Sequence, residues 1–235
     1  GESASLLDDL GVPAFKIGSG EITNHPFLED VAGYGMPLLL STGMSSMCEV
    51  DAALEAIERG GGPPVVLLHC VSSYPAPAED TNLRAITAMR SSFRVPVGFS
   101  DHSPGYHLAS AATTLGACIV EKHLTLDRTL PGPDHAASIE PDELATLVRT
   151  VRTTWSALGD GIKRCMPSEE DTRLVARRSL FAATDLVPGA VLKPDCLRAL
   201  RPGDGVSPAR LDTIVGRSIV HHVSSGAKLQ ESDLE

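Results

Sequence analysis

Apolar positions along this chain follow two rhythms. Short apolar runs at residues 14–18 (AFKIG), 37–41 (PLLLS), 64–70 (PVVLLHC), 96–100 (PVGFS) and 118–123 (CIVEKH) have the length and continuity of strands buried on both faces. Between and after them, residues 26–35, 46–60, 79–93, 105–116 and 140–159 read as helices. Ser46 with Glu49 forms a capping box at the start of the second of these, and Gly60 stops it. An amphipathic helix over 2–11, closing at Gly11, precedes the first run. The order is a leading helix and then five βα units, which predicts a parallel sheet with helices outside it.

Such alternation builds either an open doubly wound sheet or a closed (β/α)8 TIM barrel. The ends of the runs favour the barrel. Every run finishes in polar residues: Ser19 and Glu21, Ser41 and Thr42, Ser72 and Tyr74, Ser100 to His102, Glu121 to His123. A doubly wound sheet would concentrate its chemistry at one switch point instead. Five strands do not close a barrel, and the leading helix has no strand before it. The expectation is an α/β chain lacking about three N-terminal βα units of the barrel.

The pattern divides the chain into a partial barrel domain over 1–158, a linker over 159–176 rich in glycine and mixed charge, and a small β-rich module over 177–235. That module breaks at Pro-Gly, Lys-Pro and Ser-Gly and shows no long helix.

Composition then removes several function classes. A net charge of -10 gives no general attraction to nucleic acid or anionic membrane, so an anionic ligand must be held by local groups. No apolar run reaches the ~18 residues of a membrane span. The N-terminus shows no signal peptide, and the five scattered cysteines (Cys48, Cys70, Cys118, Cys165, Cys196) suit neither a disulfide framework nor a structural zinc site. A reducing, cytoplasmic setting is expected.

Candidate chemistry gathers at the strand ends. His102 and His123 end consecutive strands, so neighbouring strands would turn both imidazoles into one rim. Two such nitrogens, completed by water, carboxylate or substrate, suit an octahedral ion such as Mn2+ better than tetrahedral zinc. Each histidine could equally pack or hydrogen-bond at its strand end. Lys16 lies between Phe15 and Ile17 in an apolar run, ahead of two glycines that let backbone N–H groups approach an anion. Its partner is either a ligand phosphate or carboxylate, or Glu21 or another internal acid. Ser19, Ser41, Ser72 and Ser100 share one height on the rim. The loop LPGPDHAAS could hold Asp134 over the site, and LRPGDGVSP presents Arg201 beside a rigid turn of the small module.

The motifs FKIGSGEI, LLLSTGMS, LLHCVSSYPAPAED, GFSDHSPG, VEKHLTLDRTLPGPDHAAS and LRPGDGVSP, in this order, resemble the sialic acid synthase family of N-acetylneuraminate, legionaminate and related nonulosonate synthases. The resemblance implies a (β/α)8 barrel joined to an antifreeze-like SAF domain in a domain-swapped homodimer. It implies a cytoplasmic transferase of carbohydrate biosynthesis that condenses phosphoenolpyruvate with N-acetylmannosamine or a related N-acyl aldose, cleaving the C–O bond of the enol phosphate. On matching positions it makes His102 and His123 the ligands of a divalent metal, Mn2+ first, with Mg2+ or Co2+ as alternatives. It gives Lys16, Ser19, Ser41, Ser72 and Ser100 to phosphoenolpyruvate, and Tyr74 and Asp134 to the sugar. Arg201 of the partner subunit would meet the sugar's N-acyl group. Glu21 and Asp101 become candidates for proton handling, so the expected catalytic set is Glu21, Asp101, His102 and His123. Ser72 stands where some members carry Asn. The family's first three strands supply a catalytic glutamate and another anion-binding lysine that this sequence does not contain. A contrasting expectation is a catalytically inactive truncated chain acting as a binding or oligomerisation module. Another phosphoenolpyruvate-aldose synthase is disfavoured by the C-terminal module.

Overall fold

The computed structural model describes residues 2–235. Contacts divide it into two units, 1–161 and 162–235.

In the first unit, α1 (Glu2–Asp9) ends in a turn where Gly11 N–H donates to Asp8 O at 2.8 Å and Gly11 takes φ +68. Only Ala4 of this helix is buried, and Leu6, Leu7 and Leu10 remain exposed. Five strands follow, each where an apolar run predicts it: β1 (Phe15–Ile17), β2 (Leu38–Ser41), β3 (Val65–His69), β4 (Val97–Asp101) and β5 (Val120–Lys122). They pair in parallel in the order β1-β2-β3-β4-β5. An order that never reverses has no switch point, which removes the doubly wound alternative. The five strands form a curled half-barrel, a sector of the TIM-barrel arrangement.

Helices α2 (His25–Ala32), α3 (Met47–Arg59), α4 (Arg84–Phe93), α5 (His107–Thr114) and α6 (Pro141–Leu158) connect and follow the strands. Ser46 Oγ accepts from Glu49 N–H at 3.3 Å while Glu49 Oε2 accepts from Ser46 N–H at 2.7 Å, the expected capping box of α3. At the other end of α3, a methyl on Gly60 would come 2.3 Å from Glu29 O, so α2 and α3 approach more closely there than any larger residue allows. One face of the sheet packs on these helices through Phe15, Ile17, Leu38, Leu40, Leu67, Val97 and Phe99, with Leu28, Ile57 and Ile86 from the helices.

In the second unit, the segment expected to be a linker contains α7 (Glu170–Ala176) behind a short 3-10 turn at Pro167–Glu169. Proline at the start, Glu170 and Asp171 in the first turn and Arg173 in the last complement the helix dipole, a signal that mixed charge had masked. Next come β6 (Ser179–Ala182), antiparallel to β7 (Leu197–Leu200), and the single turn α8 (Leu211–Ile214). Their core holds Leu180, Leu192, Ile214, Ile219 and Leu229. Among the described residues no helix is long and apolar enough to cross a membrane.

Candidate active site

Strand alternation decides what meets on the inner face, away from the helices. In β1, Phe15 and Ile17 are buried against the helices and Lys16 points the other way. The register carries this parity across the sheet. Lys16 pairs with Leu39, and Ser41 with Leu68; Leu68 pairs with Gly98, and Ser100 with Glu121. Continuing past the strand ends, His102 and His123 share the face of Ser100 and Glu121.

The structure brings most of the expected residues together there. The rings of His102 and His123 lie with centroids 5.4 Å apart and planes at 83°. Tyr74 sits over both, 4.3 Å from His102 and 5.5 Å from His123. Burial is the main force raising the Tyr74 pKa, with negative groups at Cys70, Asp134 and Glu121 adding to it. His102 Nδ1 lies 2.7 Å from Val71 O, so it carries the proton it donates and Nε2 keeps a lone pair. Burial holds the His102 pKa below its ordinary value, with the neighbouring His123 adding to the depression against the Val71 bond. A neutral imidazole anchored through its other nitrogen to a backbone carbonyl is the state in which histidine ligates a metal. His123 Nδ1 lies 3.8 Å from Asp134 Oδ2. Among the described residues no group of three or more His, Cys, Asp or Glu is placed to hold a metal. The chain therefore offers an imidazole pair, and a cation there would need water or substrate to complete its shell.

Beside the rings lies a cradle of donors. Lys16 Nζ donates to Ser41 Oγ at 2.8 Å and Ile17 O at 3.2 Å, and stands 3.7 Å from Glu121 Oε2. Of the partners left open for this lysine, the internal acid is Glu121, not Glu21. Gly43 N–H donates to Ser19 Oγ at 3.0 Å. A methyl on Gly43 would come 2.2 Å from Ser72 Oγ, 2.8 Å from Ser19 Oγ and 3.1 Å from Cys70 Sγ, so three side chains close round this one backbone position.

Two expected carboxylates are elsewhere. Asp101 has the opposite parity to Ser100 and His102, which turns it to the helix face, 1 % exposed. There its Oδ1 accepts from Ser103 N–H at 2.9 Å and Ser103 Oγ at 2.6 Å, and Lys122 Nζ lies 3.1 Å from Oδ2. It is not placed to handle a proton on the inner face. Glu21 accepts from Asn24 Nδ2 at 2.7 Å, and among the described residues it makes no hydrogen bond or ion pair to Lys16 or the imidazoles. The carboxylate that does belong to the inner face is Glu121, whose Oε1 accepts from Ser100 Oγ at 3.0 Å; Ser100 Oγ is also 3.2 Å from His102 Nε2. It appears in the sequence as one of the polar strand ends, and its two-residue spacing from His123 was the signal that both share a face. Cys70, 3.2 Å from Ser19 Oγ, is a second member that sequence reasoning left unassigned. Arg201 lies in the second unit, exposed, donating through Nε to Ala176 O at 2.9 Å.

Residues 1–163 match the NeuB family and residues 177–235 the SAF domain. The chain belongs to the NeuB family. It is 42% identical over 218 residues to the N,N'-diacetyllegionaminic acid synthase of Campylobacter jejuni serotype O:2, covering 92% of this chain and 65% of that protein. The human N-acetylneuraminate-9-phosphate synthase is 36% identical over 232 residues, covering 97% of this chain and 64% of that protein. The crystal structure of the N-acetylneuraminic acid synthetase of Leptospira borgpetersenii in complex with citrate shares a TM-score of 0.67 and 40% identity over 72% of this chain and 59% of that one. This NeuB-family chain spans about two thirds of the length of the curated relatives it matches (65% and 67% of the first two).

Proposed function

We propose that this chain carries the reactant-binding face of a nonulosonic acid synthase, a transferase that joins phosphoenolpyruvate to an N-acyl aldose. The observation that carries the reading is a single inner face on which a lysine, four serine hydroxyls and two imidazoles converge at the ends of neighbouring strands, in a chain whose relatives bear synthase names. Lys16, Ser19, Ser41, Ser72 and Ser100 hold the phosphoenolpyruvate: the ammonium offsets its charge and the hydroxyls orient it. His102 and His123 hold a divalent cation, Mn2+ first, with Mg2+ or Co2+ as alternatives, which when bound supplies Lewis-acid polarisation of the sugar aldehyde. Tyr74 and Asp134 border the sugar. Glu121, between the lysine and Ser100, takes the proton-handling role first expected of Glu21 and Asp101.

The overall change balances as phosphoenolpyruvate, aldose and water giving nonulosonic acid and phosphate. A C–C bond forms between the enol phosphate C3 and the aldehyde carbon, water adds at C2, and the C2–O bond breaks with its electrons leaving on phosphate. The aldose is N-acetylmannosamine or a 6-deoxy diacetamido relative, the latter favoured by the names of the legionaminic acid synthases among the relatives. The reading includes a cytoplasmic homodimer in which Arg201 of the partner subunit meets the N-acyl group, within a complete (β/α)8 barrel.

Calorimetric titration with phosphoenolpyruvate in the presence of Mn2+ tests the anion site, and phosphate release on adding each aldose tests turnover. Binding that Lys16→Met weakens and His102→Ala with His123→Ala leaves without turnover is the expected result. No binding, or binding indifferent to Lys16→Met, overturns the reading.

A further inference from the structure

We infer that Asp101 and Lys122, paired on the opposite face of the strands, are positioning residues that set how the imidazoles of His102 and His123 meet. They face each other as register partners across β4 and β5, with side chains 0% and 3% exposed. Each stands one residue before a site histidine and one after an inner-face residue: Ser100, Asp101, His102 on one strand, Glu121, Lys122, His123 on the other.

The pair answers a register problem. β5 is only three residues long, Val120–Lys122, and its neighbour β4 offers apolar residues at both Val97 and Phe99. A slip of one residue would turn every side chain to the wrong face, and burial forbids it. A slip of two keeps the faces and still sets Val120 against an apolar partner, so hydrophobic contacts discriminate weakly against it. It would carry His123 past His102 by two residues. It would also leave the Lys122 ammonium and the Asp101 carboxylate buried without each other, which makes that slip strongly unfavourable. The charges therefore specify the one register in which the two rings are adjacent.

The same pair fixes where His102 leaves the strand. Ser103, the next residue, is held on three sides: its N–H and Oγ donate to Asp101 Oδ1, and its carbonyl accepts from Lys122 Nζ. Among the described residues Asp101 Oδ2 has no aligned hydrogen bond and keeps only the 3.1 Å approach of the ammonium, so none of them replaces the lysine if it is lost. With Ser103 clamped, the His102 ring is directed to Val71 O at the end of the neighbouring strand.

The test uses the 235-residue chain without substrate or metal, so it is separate from the functional reading above. Long-range 1H–15N correlation spectra read the tautomer and environment of each imidazole, and chemical unfolding reads stability. The double variant Asp101→Leu with Lys122→Met replaces the pair with apolar side chains. Asp101→Asn keeps an acceptor for Ser103 and removes only the charge. Met89→Ala in α4, away from the inner face, is the destabilised control. Expected are one His102 signal set in the Nδ1–H tautomer for the parent, unaltered ring signals in Met89→Ala despite a lower unfolding midpoint, and shifted or doubled His102 and His123 signals in the double variant even where its midpoint is retained. If the double variant does not fold, Asp101→Asn is read by the same criterion. Ring signals superimposable on those of the parent in the folded variant overturn the inference and leave the pair a stabilising contact only.

Discussion

Ser100 and Glu121 are register partners on β4 and β5, and the serine hydroxyl donates to Glu121 Oε1 at 3.0 Å while Lys16 approaches Oε2 at 3.7 Å. The carboxylate is thereby oriented between a cation and a hydroxyl on the face that also carries both imidazoles. Glu121→Gln keeps an acceptor for Ser100 and removes the ionisable group. The expected outcome is a fall in kcat of about 10²–10⁴-fold, the range for loss of a general acid or base. Phosphoenolpyruvate affinity should be retained or tightened, because a negative charge near the anion is gone. Phosphate-release kinetics with calorimetry check the split, and a loss confined to affinity would contradict the assignment.

Lys16 is partly exposed and bonded to Ser41 Oγ at 2.8 Å. Lys16→Met keeps the stem and deletes the donor. Hydrogen bonds to charged groups are worth about 1.5–3 kcal/mol, so affinity for phosphoenolpyruvate should fall by about 10- to 150-fold. Fold stability should change by no more than about 0.5 kcal/mol, since no other charge is left buried alone. Titration and denaturant unfolding on the same variant separate the two effects.

Gly43→Ala tests the cradle by steric means. Its methyl would stand 2.2 Å from Ser72 Oγ and 2.8 Å from Ser19 Oγ, on short side chains with little freedom to retreat. Overpacking of this kind costs about 1–3 kcal/mol. Anion affinity should drop as well, because the displaced hydroxyls are the proposed ligand donors. A variant with parent-like affinity would show that Ser19 and Ser72 do not bind the anion.

What the sequence disclosed and what it concealed divide along strand parity. Parallel strands buried on both faces read as continuous apolar runs, so all five strands are visible as runs, and their polar ends mark the rim. Which polar residue faces which way needs the register. Phe15 and Ile17 flanking Lys16 revealed its direction at once, but Ser100, Asp101 and His102 form an unbroken polar triplet in which every second residue belongs to the other face. Adjacency therefore groups Asp101 with His102, though alternation separates them. Glu121 is the reverse case: it stands among the polar strand ends, but Lys122 and His123 follow it directly and nothing in the sequence singles it out as the inner-face acid. No pattern in the sequence announces that Lys122 and Asp101 are partners, since the contact joins two strands through a long loop and helix. In the second unit, acids and arginines suggested a solvated linker at α7, whereas their distribution along the segment, acids first, was the helical signal.

The second unit supplies a pH dependence. Asp204 Oδ1 accepts a hydrogen bond from Lys228 Nζ, which is the main force holding its carboxyl below the ordinary aspartate value. A group whose folded pKa is depressed contributes stability that is present above its unfolded pKa and lost as pH falls through the folded one. Stability should therefore decline on acidification from about pH 4 downward, and Asp204→Asn should flatten that limb slightly while changing little at pH 7, because the pair is solvent-exposed. Unfolding midpoints measured between pH 7 and pH 3 decide it. A limb equally steep in the variant would assign the acid sensitivity to other carboxylates.

Ser179 anchors the loop that follows Arg201. It is 0% exposed, and its hydroxyl donates to Pro202 O at 2.7 Å while accepting from Gly205 N–H at 2.8 Å. One side chain thus satisfies two backbone groups of the turn. Ser179→Ala leaves both without that partner, and an unsatisfied buried polar group costs about 1–3 kcal/mol. For a domain of this size each kcal/mol corresponds to about 4–8 °C in Tm, so calorimetry should record a clear fall. Phosphoenolpyruvate affinity at Lys16 should be unaffected, because Ser179 belongs to a different core from the inner face of the sheet. If the binding reaction requires Arg201, however, the loosened loop should raise KM for the aldose and leave KM for phosphoenolpyruvate in place. Equal rises in both would contradict a place for Arg201 against the sugar.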